Sequence, residues 1–224
     1  MKPDPHTSHT PDDPGQGLFA ILFRYVIYSL AFFGMIFAIW KLAAVHGDRL
    51  FAEGSILEDV QFFLMVAGVV VALWAAFRPL GFRVLPLMFA SLCGLAALRE
   101  LDSFFDRLLP SSGWQLPFII LFLGSLVIAW KHRKAFVDQL RDFARHRSFG
   151  TLWAGFMLAI PYAQLIGHGP LMHQLFGDAY HRPMKRVIEE SAETLGYLVI
   201  LIGIFDFALT LEAQAKAARL SKPA

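Results

Sequence analysis

The strongest constraint on this chain is a succession of six apolar stretches, at about 18–40, 55–77, 84–105, 111–130, 149–167 and 189–211. About 20 helical residues cross a ~30 Å hydrocarbon core. Inside lipid the backbone polar groups must be satisfied without water, which a helix does within its own segment. Composition closes off the alternatives. The chain is 56% hydrophobic and 17% charged, with 22 phenylalanines in 224 residues, against about 45–50% and about 25% in soluble domains. These figures exclude disorder, and the lone Cys93 excludes a disulfide scaffold. The predicted fold is all-α: one domain at 18–215, a bundle of six transmembrane helices, with no convincing internal repeat.

Residues 1–17, rich in Pro, Asp, Thr and His, read as a disordered tail, and 216–224 as a short C-terminal tail. The stretch at 18–40 is too long for the apolar core of a signal peptide and is expected to stay as the first span. With six spans both termini share one side. Lys and Arg number twelve on that side and six in the opposite loops, leaving out Arg24 and Arg99 within spans. The positive-inside rule therefore places both termini in the cytoplasm, with the chain in the inner or plasma membrane. Net charge of +2 gives no basic stripe for nucleic acid, so none is expected as a partner. The expected partners are the bilayer itself and other membrane proteins or further copies of the chain.

Segment 131–147 sets Phe136, Leu140 and Phe143 on one helical face among basic residues. That is the pattern of an amphipathic helix lying on an anionic cytoplasmic leaflet, and equally of a solvated extension of the fourth span.

Charges in hydrocarbon cost several kcal/mol, so ionisable residues inside spans are candidates for function. Three groups stand out: Glu58, Asp59 and Gln61 opening span two; Arg99, Glu100 and Asp102 closing span three; and Glu189, Glu190 and Glu193, followed by Tyr197, opening span six. Spans two and six run inward and span three outward, so all three groups fall at the outer leaflet. The uncharged run at 84–98 is 15 residues, about 22 Å of helix. Arg99 is thereby drawn into the membrane or into a protein-lined cavity. Three neighbouring carboxylates repel one another unless a cation intervenes. Arg99, Arg186 or a bound metal could supply it, and the planar guanidinium suits a carboxylate best. The ordinary alternative is that acids at first turns, such as Glu58, Asp59 and Glu189, merely complement the helix dipole.

The loop between spans five and six adds His168, His173 and His181. With Glu189 they make a possible divalent, zinc-like metal site, although their spacing matches no metal motif. Asp206 is expected near the inner interface with Thr210 one turn on, in a structural role or as part of a proton relay. Pro161 with Gln164 marks a candidate kink. The acid cluster is similar, in outline alone, to the seven-span lipid hydrolases related to alkaline ceramidases. EESAETLGY stands where that family's last span has a paired-His motif, so no residue role is carried over.

Three functions are consistent with this pattern. The first is a non-enzymatic protein whose outward polar pocket takes a cation or polar head group for transport or sensing. The second is a metal-dependent hydrolase of lipid or envelope precursors at the outer leaflet. The third is an assembly or scaffold subunit whose polar network only fixes helix packing.

Overall fold

The computed structural model describes residues 18–78, 81–101 and 115–220, with side chains from 19 to 216 in those segments. The expected tail at 1–17, Asp102, the end of span three, the first residues of span four and the last four residues lie outside them. Among the described residues the chain is helical, with no strand. Its elements are α1 (Leu18–His46), a 3-10 turn (Gly47–Phe51), α2 (Ile56–Phe77), α3 (Val84–Glu100), α4 (Gln115–Lys131) and α5 (Arg133–Ala144). Then come α6 (Arg147–Met157), a π-helical turn (Leu158–Tyr162), α7 (Ala163–Ile166), α8 (Gly169–Phe176), a 3-10 turn (Gly177–Ala179) and α9 (Arg182–Leu220).

Four helical segments among the described residues are long and apolar enough to cross a membrane: Phe19–Phe51, Ile56–Phe77, Arg147–Ile166 and Arg182–Lys216. A fifth is added if α4 and α5, bent by 92° at their junction, count as one. α3 has 17 described residues, about 25 Å of helix.

α9 is the central helix and its 39 residues make it the longest element described. It begins seven residues before the apolar stretch at 189, because Pro183 is at home in a first turn, where its missing N–H costs no intrahelical bond. The early start carries Lys185 and Arg186 on helix rather than loop, and Glu189 and Glu190 in its interior rather than at its first turn. α2 packs on α9 and on α3, and α6 lies along the other flank of α9. Glycines permit that last approach. A methyl group on Gly196 would fall 2.5 Å from the Ala159 backbone nitrogen, and one on Gly203 2.9 Å from Leu152 Cα. Gly155 answers from the other side, where an added methyl group would lie 2.7 Å from the Ile200 backbone nitrogen. Helices in an apolar solvent gain most from such close backbone contact, since burial against lipid adds little.

The core is Met65, Ala72, Leu85, Phe89, Cys93, Tyr197, Ile204 and Phe207, shared among α2, α3 and α9. Phe143 of α5 inserts into it, its ring 4.8 Å from Phe207 and 5.2 Å from Phe89. Phe136 packs on the same cluster, while Leu140 stays exposed. The apolar face expected on the leaflet is thus partly taken up by the bundle. Gln139 adds a polar tie, accepting the Leu85 N–H at 2.9 Å near the start of α3. α1 and α4 are held loosely: α4 has no buried residue, and α1 touches the bundle through Ile39 against Leu50, Phe51 and Leu57.

Candidate functional site

The starts of α2 and α9 and the end of α3 meet at one end of the bundle, and their charged residues come into direct contact. Arg99, from the last turn of α3, donates through Nη2 to Glu193 Oε2 on α9. The same nitrogen lies 3.2 Å from Oε1 of its neighbour Glu100. Glu100 also accepts the Tyr197 hydroxyl at 3.0 Å. The one-turn spacing of Glu193 and Tyr197 is what lets both reach the end of α3. Arg99 therefore ties α3 to α9 through two carboxylates, and a planar guanidinium with several donors is suited to that.

Gln61 of α2 closes the third side. It is wholly buried, and its Nε2 faces three acceptors on α9: the Glu190 carbonyl at 3.2 Å, Glu190 Oε2 at 3.1 Å and Thr194 Oγ1 at 3.0 Å. Thr194 in turn donates to the Glu190 carbonyl at 2.8 Å. Gln61 Oε1 is buried and has no hydrogen-bond partner among the described residues.

The π-helical turn around Pro161 delivers one further group. A proline cannot supply the regular helical N–H, and a widened turn accommodates it. Immediately after it, Gln164 brings Nε2 to 3.4 Å from Glu193 Oε1 and 3.5 Å from Glu189 Oε1. Where a kink was expected at Pro161 the helix has this widened turn, and Gln164 is its contribution to the site.

Of these residues Arg99, Gln164, Glu189, Glu190 and Glu193 line a cleft of about 310 Å³ whose walls also include Glu53, Glu58, Arg182, Lys185 and Arg186, while Gln61, Glu100, Thr194 and Tyr197 support it from behind. Towards its mouth the charges pair off: Lys185 Nζ is 3.4 Å from Glu189 Oε2, and Arg186 Nη2 is 3.0 Å from Glu53 Oε1. Arg186 thus bonds to Glu53 rather than to Glu190, the partner its spacing offered. Deeper in, Glu100 and Glu193 share the single guanidinium of Arg99, with Glu190 beside them in the cleft wall. Their exposure differs sharply: the Glu193 side chain is 4% exposed and Arg99 is 45% exposed. The cation is well open to the cleft, and the acid it serves borders the same space with only a small part of its surface.

Not every expected residue joins. Glu58 borders the cleft but spends one oxygen on the Gly54 N–H at 2.7 Å, as an acid at a first turn does. Asp59 is exposed and does not border the cleft. His168 stands at the N-cap position of α8 without a side-chain capping bond, and His173 packs its ring against Tyr180 at 4.2 Å; neither these two nor His181 borders the cleft. Among the described residues no group of three or more His, Cys, Asp or Glu is arranged to hold a metal ion.

The far end of the bundle holds a second polar centre. Asp206 accepts from Tyr28 (2.8 Å) and Arg24 on one oxygen and from Ser148 on the other, with Arg147 Nε at 3.5 Å. Thr210 links Arg147 to the Asp206 carbonyl. Arg24, a charge inside the apolar stretch at 18–40, was the available signal, since a charge in apolar surroundings needs a partner. No protein family matches the chain, and neither a curated protein nor a solved structure matches it. Its function must be read from the cleft's own chemistry.

Proposed function

We propose that the chain is a multi-pass membrane protein of six spans with both termini cytoplasmic, and that its charged cleft binds a cation or polar head group at the outer leaflet for transport or sensing. The observation that carries this reading is the acid excess around Arg99. Arg99 meets the carboxylates of Glu193 and Glu100, and Glu190 lines the same accessible cleft as Arg99 and Glu193 with its carboxylate on the neutral Gln61. Buried like charges are costly without compensation, and a bound cation supplies it.

Thermal unfolding of the purified protein in maltoside micelles, with and without a small amine or a divalent cation, tests the proposal. Wild type is expected to gain stability with one of them, and Arg99→Ala, Glu190→Ala and Glu193→Ala to lose that gain. Equal gains in wild type and all three folded variants would remove the cleft from the binding site. Elemental analysis of protein purified without chelator separates the hydrolase alternative. Near-stoichiometric metal that disappears in Glu193→Ala would make a metal-dependent hydrolase the better reading.

A further inference from the structure

Arg99 borders two clefts. On its far side from the charged one lies an apolar cleft of about 260 Å³ between α3, α6 and α9, walled by Phe89, Leu92, Ala96, Phe156 and Ile200. Its polar contributors are chiefly Arg99 itself and Tyr197, whose hydroxyl is bonded to Glu100. The two spaces therefore meet at one side chain, with hydrocarbon walls on one side and carboxylates on the other.

In a membrane any apolar groove meets lipid tails, so apolar walls alone select nothing. A groove between α1, α6 and α9, of about 320 Å³ and lined by Tyr25, Phe32, Thr151 and Ile202, has no charged wall and is of that ordinary kind. The cleft at Arg99 differs because a tail lying in it places the attached head group beside Glu190 and Glu193. There the protein's own charge is unbalanced towards the negative. Of the other cations in the wall, Lys185 and Arg186 pair with Glu189 and Glu53, and with Arg182 and Arg99 the wall holds four cations against five carboxylates. The complement to that floor is a positive group, and the complement to the apolar walls is a hydrocarbon chain on the same molecule.

We infer that the two clefts form one site for a single-chain amphiphile bearing an amine head group, with the chain between α3, α6 and α9 and the ammonium against Glu190 and Glu193. The inference rests on the charged cleft being a binding site and adds the chemical class of its ligand. Arg99 is then the divide between head and chain, and its pairing with Glu193 and Glu100 holds the acids where the ammonium arrives.

The experiment uses the full chain in maltoside micelles and three twelve-carbon probes with a photoreactive diazirine in mid-chain: dodecylamine, dodecanol and dodecanoic acid. Labelling sites are mapped by peptide mass spectrometry. The amine is expected to label peptides of α3, α6 and α9 at least fivefold more than the other two. Ala96→Phe, which fills the apolar cleft, and Glu193→Gln should each abolish that preference. Leu92→Trp, at a more exposed position, serves in place of Ala96→Phe if the latter does not fold. Equal labelling by all three probes would reduce the cleft to ordinary lipid contact and overturn the inference. Butylamine, which has a head group and almost no chain, separates the two layers of the argument. A butylamine-induced thermal shift lost in Glu193→Gln, with amine labelling indifferent to Ala96→Phe, overturns the chain assignment and leaves the charged site standing. Indifference of both butylamine and dodecylamine to Glu193→Gln overturns both.

Discussion

α9 carries a polar centre near each end, and the two are built on opposite principles. At Asp206 one carboxylate is met by two guanidinium groups, a tyrosine and a serine, and both Asp206 and Ser148 are buried. Around Arg99 one guanidinium is met by Glu193 and Glu100, with Glu190 close by on Gln61. The first centre uses up the acceptors of its carboxylate and draws on α1, α6 and α9 together. It is a fastening, and it is the principal polar hold on a helix, α1, that is otherwise weakly packed. The second leaves negative charge over and opens to a cleft. A saturated centre has nothing left to offer a ligand, whereas an unsaturated one stores the capacity to bind.

The contrast can be broken most directly at Asp206. Asp206→Ala withdraws the shared carboxylate from Arg24 and Arg147, and loss of one partner from a buried charged network costs about 3–5 kcal/mol. A large fall in unfolding temperature in micelles is expected, with α1 becoming accessible to protease. A smaller fall is expected for Glu193→Gln, about 1–2 kcal/mol, because Arg99 is half exposed and keeps Glu100. The reverse order would mean that the Arg99 centre is the fastening. At the rim, Lys185→Ala removes a one-turn ion pair at the cleft mouth, and its effect on stability should stay within about 0.5 kcal/mol. A loss of several kcal/mol there would show that the mouth is part of the structural frame.

How much of this was legible beforehand depends on the kind of interaction. The grouping of Glu58, Arg99 and Glu193 at one end of the bundle follows from the order and direction of their helices and needs no contact map. That Arg99 would meet acids of α9 was one of the choices the sequence offered, but which of Glu189, Glu190 and Glu193 it meets was not legible. Gln61 and Thr194 were harder. Gln61 stood in the expected polar group, but its bond to Glu190 and Thr194 requires the rotation of α2 against α9, which periodicity leaves free. Gln164 read as a mark of a kink, and its reach to Glu189 and Glu193 depends on the widened turn at Pro161. Phe143 belonged to an amphipathic face whose partner, lipid or protein, no sequence pattern distinguishes, because both are apolar.

The histidines teach a different lesson. His168, His173 and His181 lie close in sequence to Glu189, yet none of them borders the cleft that contains it. His173 is occupied with Tyr180 instead. Proximity along a loop carries little information about side-chain direction, whereas spacing along one helix carries a great deal.

By itself the sequence determined the long apolar helices and which ends of them carry the charged groups, since both depend on hydropathy and on about 1.5 Å of rise per residue. Only the tertiary structure decided which charges pair, that one polar centre is saturated while the other is not, and that Arg99 stands between a charged and an apolar cleft. Those outcomes rest on the rotation and lateral order of the helices. These are set by the packing of many side chains at once, and the close backbone contacts at Gly196 and Gly203 form only because no methyl group stands in the way.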